Sequence, residues 1–411
     1  MLISPHIPFV GRDESTGGTG CQAGETRVRV LHVVPSLEVG GLEQIVLDLV
    51  RLGVEAGQKV DVLCIDRLGE LAPAVAEAGG HVHCLHKPPG FWFTELKGLR
   101  DVLRMVRPDV IHTHATGELF YTGPVARRLG FTAIIHTEHG ALYGESRQTR
   151  LVGRIAGRHA MKVVCVSHET ARHVLGHRIV PKRKVKVIYN GVDLDRFDGA
   201  RSERRAMRGE LNIPESVRVI GTVGRLSTVK RQDVLIRAFA RVRQAIPDCH
   251  LLLVGDGPTR GALTDLVASL HLGDQVHFTG YRVDRERCLA AIDLFALTSD
   301  SEGTPLSLLE AWATGLPAVV TSVGGLPELV ENYVTGILVP PRNPEMLAAA
   351  MTEVLVSPRL YDSLAGASAE TVRSRFDRRA MFERYTSEYL ELLNHNPAKK
   401  ESLRWLPRFN F

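Results

Sequence analysis

Residues 28–57 read VRVLHVVPSLEVGGLEQIVLDLVRLGVEAG. A short run rich in Val comes first, over 28–34. The pair Gly40-Gly41 follows, and then apolar residues recur at helical spacing. A run this short and continuously apolar suits a strand buried on both faces, as in a parallel sheet. The glycines permit a turn in which backbone could approach a phosphate. The stretch therefore reads as strand, turn, helix. It is not G-x-G-x-x-G, and Asp66 beyond the next strand sits beside Arg67, so dinucleotide binding is disfavoured.

The same unit recurs along the chain. KVDVLCI (59–65), HVHCL (81–85), DVIHTHA (109–115), TAIIHTE (132–138), MKVVCVS (161–167) and KVKVIYNG (184–191) each precede or follow a helical pattern. A polar interval covers 195–216. Alternation restarts with VRVIGTVG (217–224), CHLLLVGDG (249–257), QVHFTGY (275–281), DLFALTS (293–299), PAVVTS (317–322) and GILVP (336–340). Strands alternating with helices imply an α/β fold. The expectation is two Rossmann-like, doubly wound parallel-sheet domains, 27–197 and 198–376, facing a central cleft. A last helix occupies 377–394. Residues 1–26 read as a disordered leader and 395–411 as a flexible basic tail.

The chain of 411 residues is long enough for two cores. Its formal charge of +5 suits an anionic substrate or an anionic membrane surface and is too small to argue for nucleic acid. No apolar run reaches the roughly 18 residues that span a bilayer. The six cysteines form no C-x-x-C pair, which favours buried thiols in a reducing compartment. The expected location is cytoplasmic, with a peripheral place at the inner membrane face a further expectation.

Ligands in open α/β sheets bind beyond the carboxyl ends of strands, and the chemistry-bearing residues cluster there. In SEGTPLSLLEAWATGLP (301–317), Glu302 precedes a helix and Glu310 lies inside it. Thr304 reads as N-cap, Pro305 as the first helical residue and Gly315 as the stop. Free amides near Thr304 favour an anionic phosphate, and a carboxylate on either side could grip sugar hydroxyls. The spacing of the pair alone is a weak signal and better suits Glu302 complementing the helix dipole and Glu310 on a solvated face. In GTVGRLSTVKRQD (221–233), Gly224 precedes Arg225, Lys230 and Arg231. Such cations can hold a diphosphate and stabilise its departure. His112, His114, His136 and His139 follow strands of the first half; a zinc site there lacks Cys or carboxylate partners. Asp193-Leu194-Asp195 resembles a D-x-D motif but sits at the linker.

In order, GGLEQ, HTEHG, YNGVD, GRL…KRQD, VGDGP and EGTPLSLLEAWATGLP resemble the retaining glycosyltransferases of family 4, with the GT-B fold. The resemblance spans about residues 28–394. It implies transfer of a sugar from a nucleotide-diphosphate sugar to a saccharide or lipid-linked acceptor, as in cell-envelope or exopolysaccharide assembly. It implies catalytic roles for Arg225, Lys230, Glu302 and His136. It implies donor contacts from Gly40, Gly41, Gly224, Gly303, Thr304, Pro305 and Leu306, with Glu302 at the donor-sugar hydroxyls, Glu310 at the nucleotide ribose, and Gly280, Tyr281 and Arg282 near the base. His112, His114, Glu138 and His139 are expected on the acceptor side, and the final helix is expected to cross back to the first domain. No cofactor and no essential metal are expected. Trp312 stands where a smaller apolar residue is common. Alternatives are a GT-B nucleotide-sugar epimerase, which needs acid–base groups at the sugar, and a non-catalytic nucleotide-sugar-binding scaffold. Two segments are basic: 91–108 combines three aromatics with Lys97, Arg100, Arg104 and Arg107, and 146–162 places arginines at helical spacing; they fit an anionic lipid surface or, equally, apolar faces packed on the sheet with solvated arginines.

Overall fold

A computed structural model describes residues 28–88, 96–140 and 146–394. The expected leader and tail, and residues 91–95 of the first basic segment, lie outside the described residues. Every Val/Ile-rich run becomes a strand. The first lobe holds β1 (Arg29–Val34), β2 (Lys59–Cys64), β3 (His81–Cys84), β4 (Val110–Thr113), β5 (Ile134–Glu138), β6 (Lys162–Cys165) and β7 (Val185–Val187). The second holds β8 (Arg218–Val223), β9 (Cys249–Val254), β10 (Val276–Gly280), β11 (Leu294–Leu297), β12 (Ala318–Thr321) and β13 (Ile337–Val339).

The sheets run β3-β2-β1-β4-β5-β6-β7 and β10-β9-β8-β11-β12-β13. Neighbouring strands pair in parallel, with β1 beside β4 and β8 beside β11. In each sheet the order reverses between the first strand and the fourth, which opens a crevice at that point. In the second lobe the loops after β8 and β11 carry Arg225, Lys230 and Glu302. Topology alone thus brings together residues about 70 positions apart in sequence.

Strands are apolar because helices cover both faces. Leu251, Leu252 and Leu253 are successive residues of β9, pointing to alternate faces, and all are fully buried. Each contributes about 1.5–3 kcal/mol relative to exposure. Cys64, Cys165, Cys249 and Cys288 are free and buried. Burial pushes the Cys64, Cys249 and Cys288 thiols up to about 12, so they pack as small hydrophobes.

The polar interval folds onto the second lobe. Arg208, in the helix Arg204–Glu210, is fully buried. Its guanidinium donates to the carbonyls of Ala291, Glu215 and Val217 and to Asp293 Oδ2 at 2.8 Å. Asp293 also accepts from Val219 N and Arg204. A buried charge persists only with such full pairing.

The helix Arg378–Asn394 packs on the first lobe, although it follows the second in sequence. Tyr389 and Tyr385 hydroxyls reach His112 Nδ1 (2.7 Å) and Thr137 Oγ1 (3.1 Å). Lys162 pairs with Glu391 and Glu388. At its start, Arg378 Nη1 lies 3.1 Å from Asp48 and 2.8 Å from Asp193. Asp195 pairs with Arg379. Both carboxylates of the D-x-D pattern therefore serve this junction.

Candidate functional site

The loops after β8 and β11 are knitted together. Thr298 Oγ1 donates to the carbonyls of Lys230 and Arg231, and Asp300 N donates to Val229 O. This seats Lys230 Nζ 2.6 Å from Glu302 Oε1, which also accepts from Ser299 Oγ. The Glu302 side chain is 8% exposed and that of Lys230 24%, so the pair is partly screened at the cleft surface. Gly324, at φ +54, backs the loop: a Cβ there would lie 2.0 Å from the Glu302 carbonyl oxygen. Arg225 is exposed and near enough to Glu43 of the opposite lobe for its charge to favour the ionised carboxylate.

The helix expected after Thr304 begins one residue later than the sequence reading placed it. It spans Leu306–Ala313 with Pro305 at the N-cap and no side-chain cap. Thr304 Oγ1 instead donates to Val166 O in the first lobe, and Asn190 Nδ2 donates to Thr304 O. The competing partner across the gap wins over local capping. Gly315 stops the helix at φ +77, as expected. Trp312 is fully buried in the core beneath.

The lobes touch around this loop. A Cβ on Gly303 would lie 2.8 Å from His139 O. Glu328, in the helix Leu326–Leu329, accepts from the backbone N–H of His168 (2.8 Å) and Glu169 (2.6 Å). Those amides open the helix His168–Gly176 of the first lobe, so one lobe caps a helix of the other.

At the first lobe, Gly40 precedes the helix Gly41–Glu55, which has no side-chain cap. The Glu43 carboxyl folds over Gly40, where a Cβ would meet its Oε2 at 2.3 Å. Burial, reinforced by the Glu38 charge, raises Glu43 to about 7 against its backbone hydrogen bond and Arg225.

The histidines divide between the two faces of the sheet. His136 Nδ1 bonds Thr113 Oγ1 at 2.9 Å, and its Nε2 is buried without a hydrogen-bond partner, 3.6 Å from Glu138. A buried nitrogen left unsatisfied costs about 1–3 kcal/mol, which a substrate hydroxyl could relieve. Glu138 accepts from Thr116 Oγ1. His112 and His114 were expected to meet an acceptor, and here the geometry corrects the reading. His112 bonds Tyr389 through Nδ1 and Thr137 through Nε2, and both histidines are fully buried. His114 Nε2 lies 2.9 Å from His32 Nδ1, and its Nδ1 lies 3.3 Å from His139 Nε2. No ring nitrogen of either remains for a hydroxyl. Burial drives His32 to about 3 and His139 to about 4, and pushes His112 and His114 well below their usual range.

His32, His112 and His114 form a group whose ligand atoms lie within 4.8 Å of one another. The 2.9 Å between His32 and His114 is a hydrogen bond's length. It is shorter than the ~3.3 Å separating two tetrahedral zinc ligands with bonds of 2.0–2.1 Å. His112 spends both nitrogens on hydroxyls, so hydrogen bonds alone satisfy it.

Tyr281 is exposed beside Arg285, and Gly280 turns at φ +70. The Arg282 side chain was expected at the donor base. Its guanidinium is committed to Asp284 and Glu210, on the side of the Arg204–Glu210 helix. Glu310 is 2% exposed; its Oε1 lies 3.0 Å from Arg285 Nη2 and its Oε2 is buried without a partner. The sequence reading passed over Arg285, Glu328, Glu43 and His32. Glu43 stood inside a quoted motif and His32 inside a quoted strand; nothing in spacing singled out the other two.

Two family models match the chain. One, described as Glycosyltransferase Family 4, covers residues 39–196; the other, Glycosyl transferases group 1, covers residues 203–371. The UDP-Gal:alpha-D-GlcNAc-diphosphoundecaprenol alpha-1,3-galactosyltransferase of Escherichia coli is 31% identical over 59% of this chain and 65% of its own length. The chain thus spans just under two thirds of that relative. The D-inositol 3-phosphate glycosyltransferase of Salinispora tropica is 30% identical over 76% of this chain and 73% of its own. Anabaena Alr3699/HepE, solved in complex with UDP and glucose, superposes with a TM-score of 0.81 at 23% identity, over 89% of this chain and 100% of that one.

Proposed function

The chain belongs to glycosyltransferase family 4, with two GT-B lobes, and on that premise we propose that it moves a sugar from a nucleotide-diphosphate sugar to a saccharide or lipid-linked acceptor with retained configuration. The observation that carries this reading is the Lys230–Glu302 pair at 2.6 Å, set at the strand-order reversal, with the exposed Arg225 on the same loop as Lys230. The cations hold the donor diphosphate, and Gly40-Gly41 approach it from the other lobe. Lys230 leaves Glu302 for the departing phosphate, which frees the carboxylate for sugar hydroxyls. The bond from the anomeric carbon to the phosphate oxygen breaks. The acceptor oxygen bonds that carbon on the same face, and its proton passes to the departing phosphate oxygen. His136 Nε2 accepts or donates at the sugar.

Positive side chains then supply the leaving-group stabilisation, so turnover should survive a chelator. Relatives named for UDP-linked and diphosphoundecaprenol substrates support a UDP-sugar and a lipid-linked acceptor in envelope or exopolysaccharide assembly. Among the described residues no helix is long and apolar enough to cross a membrane. Exposed Met105 in the helix Leu96–Val106, and Leu151 and Ile155 in the helix Arg147–Gly157, stand among arginines. They support peripheral binding to anionic lipid at the cytoplasmic face. The test is release of nucleoside diphosphate from a panel of UDP-, GDP- and ADP-sugars with lipid-linked acceptors. Turnover that requires added magnesium, or none with any donor, would overturn the reading.

A further inference from the structure

Arg285 opens the short helix Arg285–Ala290, after β10. A cation at a helix N-terminus is opposed by the backbone dipole, so something else must hold it there. Two groups do, from different lobes. Its Nη2 lies 3.0 Å from Glu310 Oε1, in the second lobe, and donates to Gln44 Oε1 at 3.2 Å, in the first. One terminal nitrogen, with two hydrogens, therefore joins the carboxylate to the Gly41–Glu55 helix, three residues beyond the Gly40-Gly41 turn.

The carboxylate itself is incomplete. Glu310 is buried, Arg285 is its only cationic partner among the described residues, and Oε2 has no hydrogen bond. A buried carboxylate oxygen without a donor calls for one, and a ligand hydroxyl would supply it. A vicinal diol fits, because Oε2 and the remaining lone pair of Oε1 can accept its two hydroxyls. Tyr281, which the resemblance puts near the donor base, stands exposed beside Arg285.

We infer that Arg285 is a positioning residue for ribose recognition: it fixes the Glu310 carboxylate so that Oε2 meets a ribose hydroxyl, and through Gln44 it couples that contact to the first lobe. This rests on the reading of the cleft as a nucleotide-sugar site. Arg285 touches no reacting atom; it acts through Glu310.

The experiment is calorimetric binding of UDP and 2′-deoxy-UDP, with GDP and 2′-deoxy-GDP as a second pair, to the wild type and to Arg285→Gln, Arg285→Lys and Gln44→Ala. A hydrogen bond to a charged group sets a preference of roughly tenfold or more for the ribose form. Arg285→Gln should bring that ratio to within about threefold of unity, chiefly by weakening the ribose form. Arg285→Lys, which keeps the charge without the planar fork, should fall between. Gln44→Ala should weaken both forms alike and leave the ratio. An unchanged ratio in a folded Arg285→Gln, or in Arg285→Lys if the former does not fold, overturns the inference. If UDP binds the wild type and is lost in Lys230→Ala while the ratio ignores Arg285, the cleft reading stands and this inference alone falls. If no nucleoside diphosphate binds the wild type, both fall.

Discussion

Replacing Lys230 with Met separates catalysis from stability. The ammonium sits 2.6 Å from Glu302 Oε1, and Ser299 is the other donor to that oxygen. A cation about 4 Å from a departing phosphate oxygen contributes about 4 kcal/mol at an effective dielectric near 20. Mutagenesis of comparable charge-stabilising donors gives about 2.7–4 kcal/mol, or 10²–10³ in kcat. The variant should therefore lose about two to three decades in kcat. It also strands a carboxylate whose side chain is only 8% exposed. Breaking a fully buried pair costs about 3–5 kcal/mol. With Lys230 at 24% exposure, screening reduces this to about 1–2 kcal/mol. Adding Glu302→Gln should restore most of that stability, since the uncompensated charge is gone, and none of the activity. The assay pairs steady-state release of nucleoside diphosphate with urea unfolding of wild type, single and double variants. A folded Lys230→Met with kcat within tenfold of the wild type refutes the reasoning. So does a double variant no more stable than the single.

Arg208→Met should cost about 3–5 kcal/mol in thermal or urea unfolding, because Asp293 is left buried and the carbonyls of Ala291, Glu215 and Val217 lose their donor. Glu328→Ala should cost about 1 kcal/mol and raise hydrogen exchange at His168 and Glu169, whose amides lose their cross-lobe acceptor; exchange unchanged there counts against the cap. His32 lies at about 3 in the fold, below its unfolded value. Its stabilisation is thus present above pH 6.5 and lost as pH falls, at about 1.4 kcal/mol per unit. The destabilisation caused by His32→Asn should accordingly shrink by about 1.4 kcal/mol between pH 7.5 and 5.5 in urea titrations. Gly324→Ala should abolish transfer, since its Cβ would lie 2.0 Å from the Glu302 carbonyl at a φ of +54.

The strands were legible because burial on both faces writes itself as continuous Val and Ile, and the cleft residues because they follow strands. Glu302 and Lys230 could be named from the loops they occupy. The fate of the histidines was not legible. His112 on β4 and His114 just past its end are two apart, so alternation puts them on one face. Which face, and what covers it, is decided by Tyr385 and Tyr389, some 270 residues later. Thr304 looked like a cap because local capping is all that sequence spacing reports; its actual acceptor, Val166 O, belongs to the other lobe. Arg285 escaped for the same reason. Folding of the second lobe brings it to Glu310, and only contact between the lobes brings it to Gln44.

The return of the helix Arg378–Asn394 bears on biogenesis. On a ribosome, β1–β7 emerge well before the tyrosines that roof their imidazoles. About 190 residues separate Val187 from Arg378, which is roughly 10–40 s of elongation at 5–20 residues per second. For that interval the nascent first lobe presents an uncovered, partly apolar surface to chaperones and neighbouring chains. Expressing the first lobe alone should yield aggregate, and supplying the helix in trans as a peptide should rescue it.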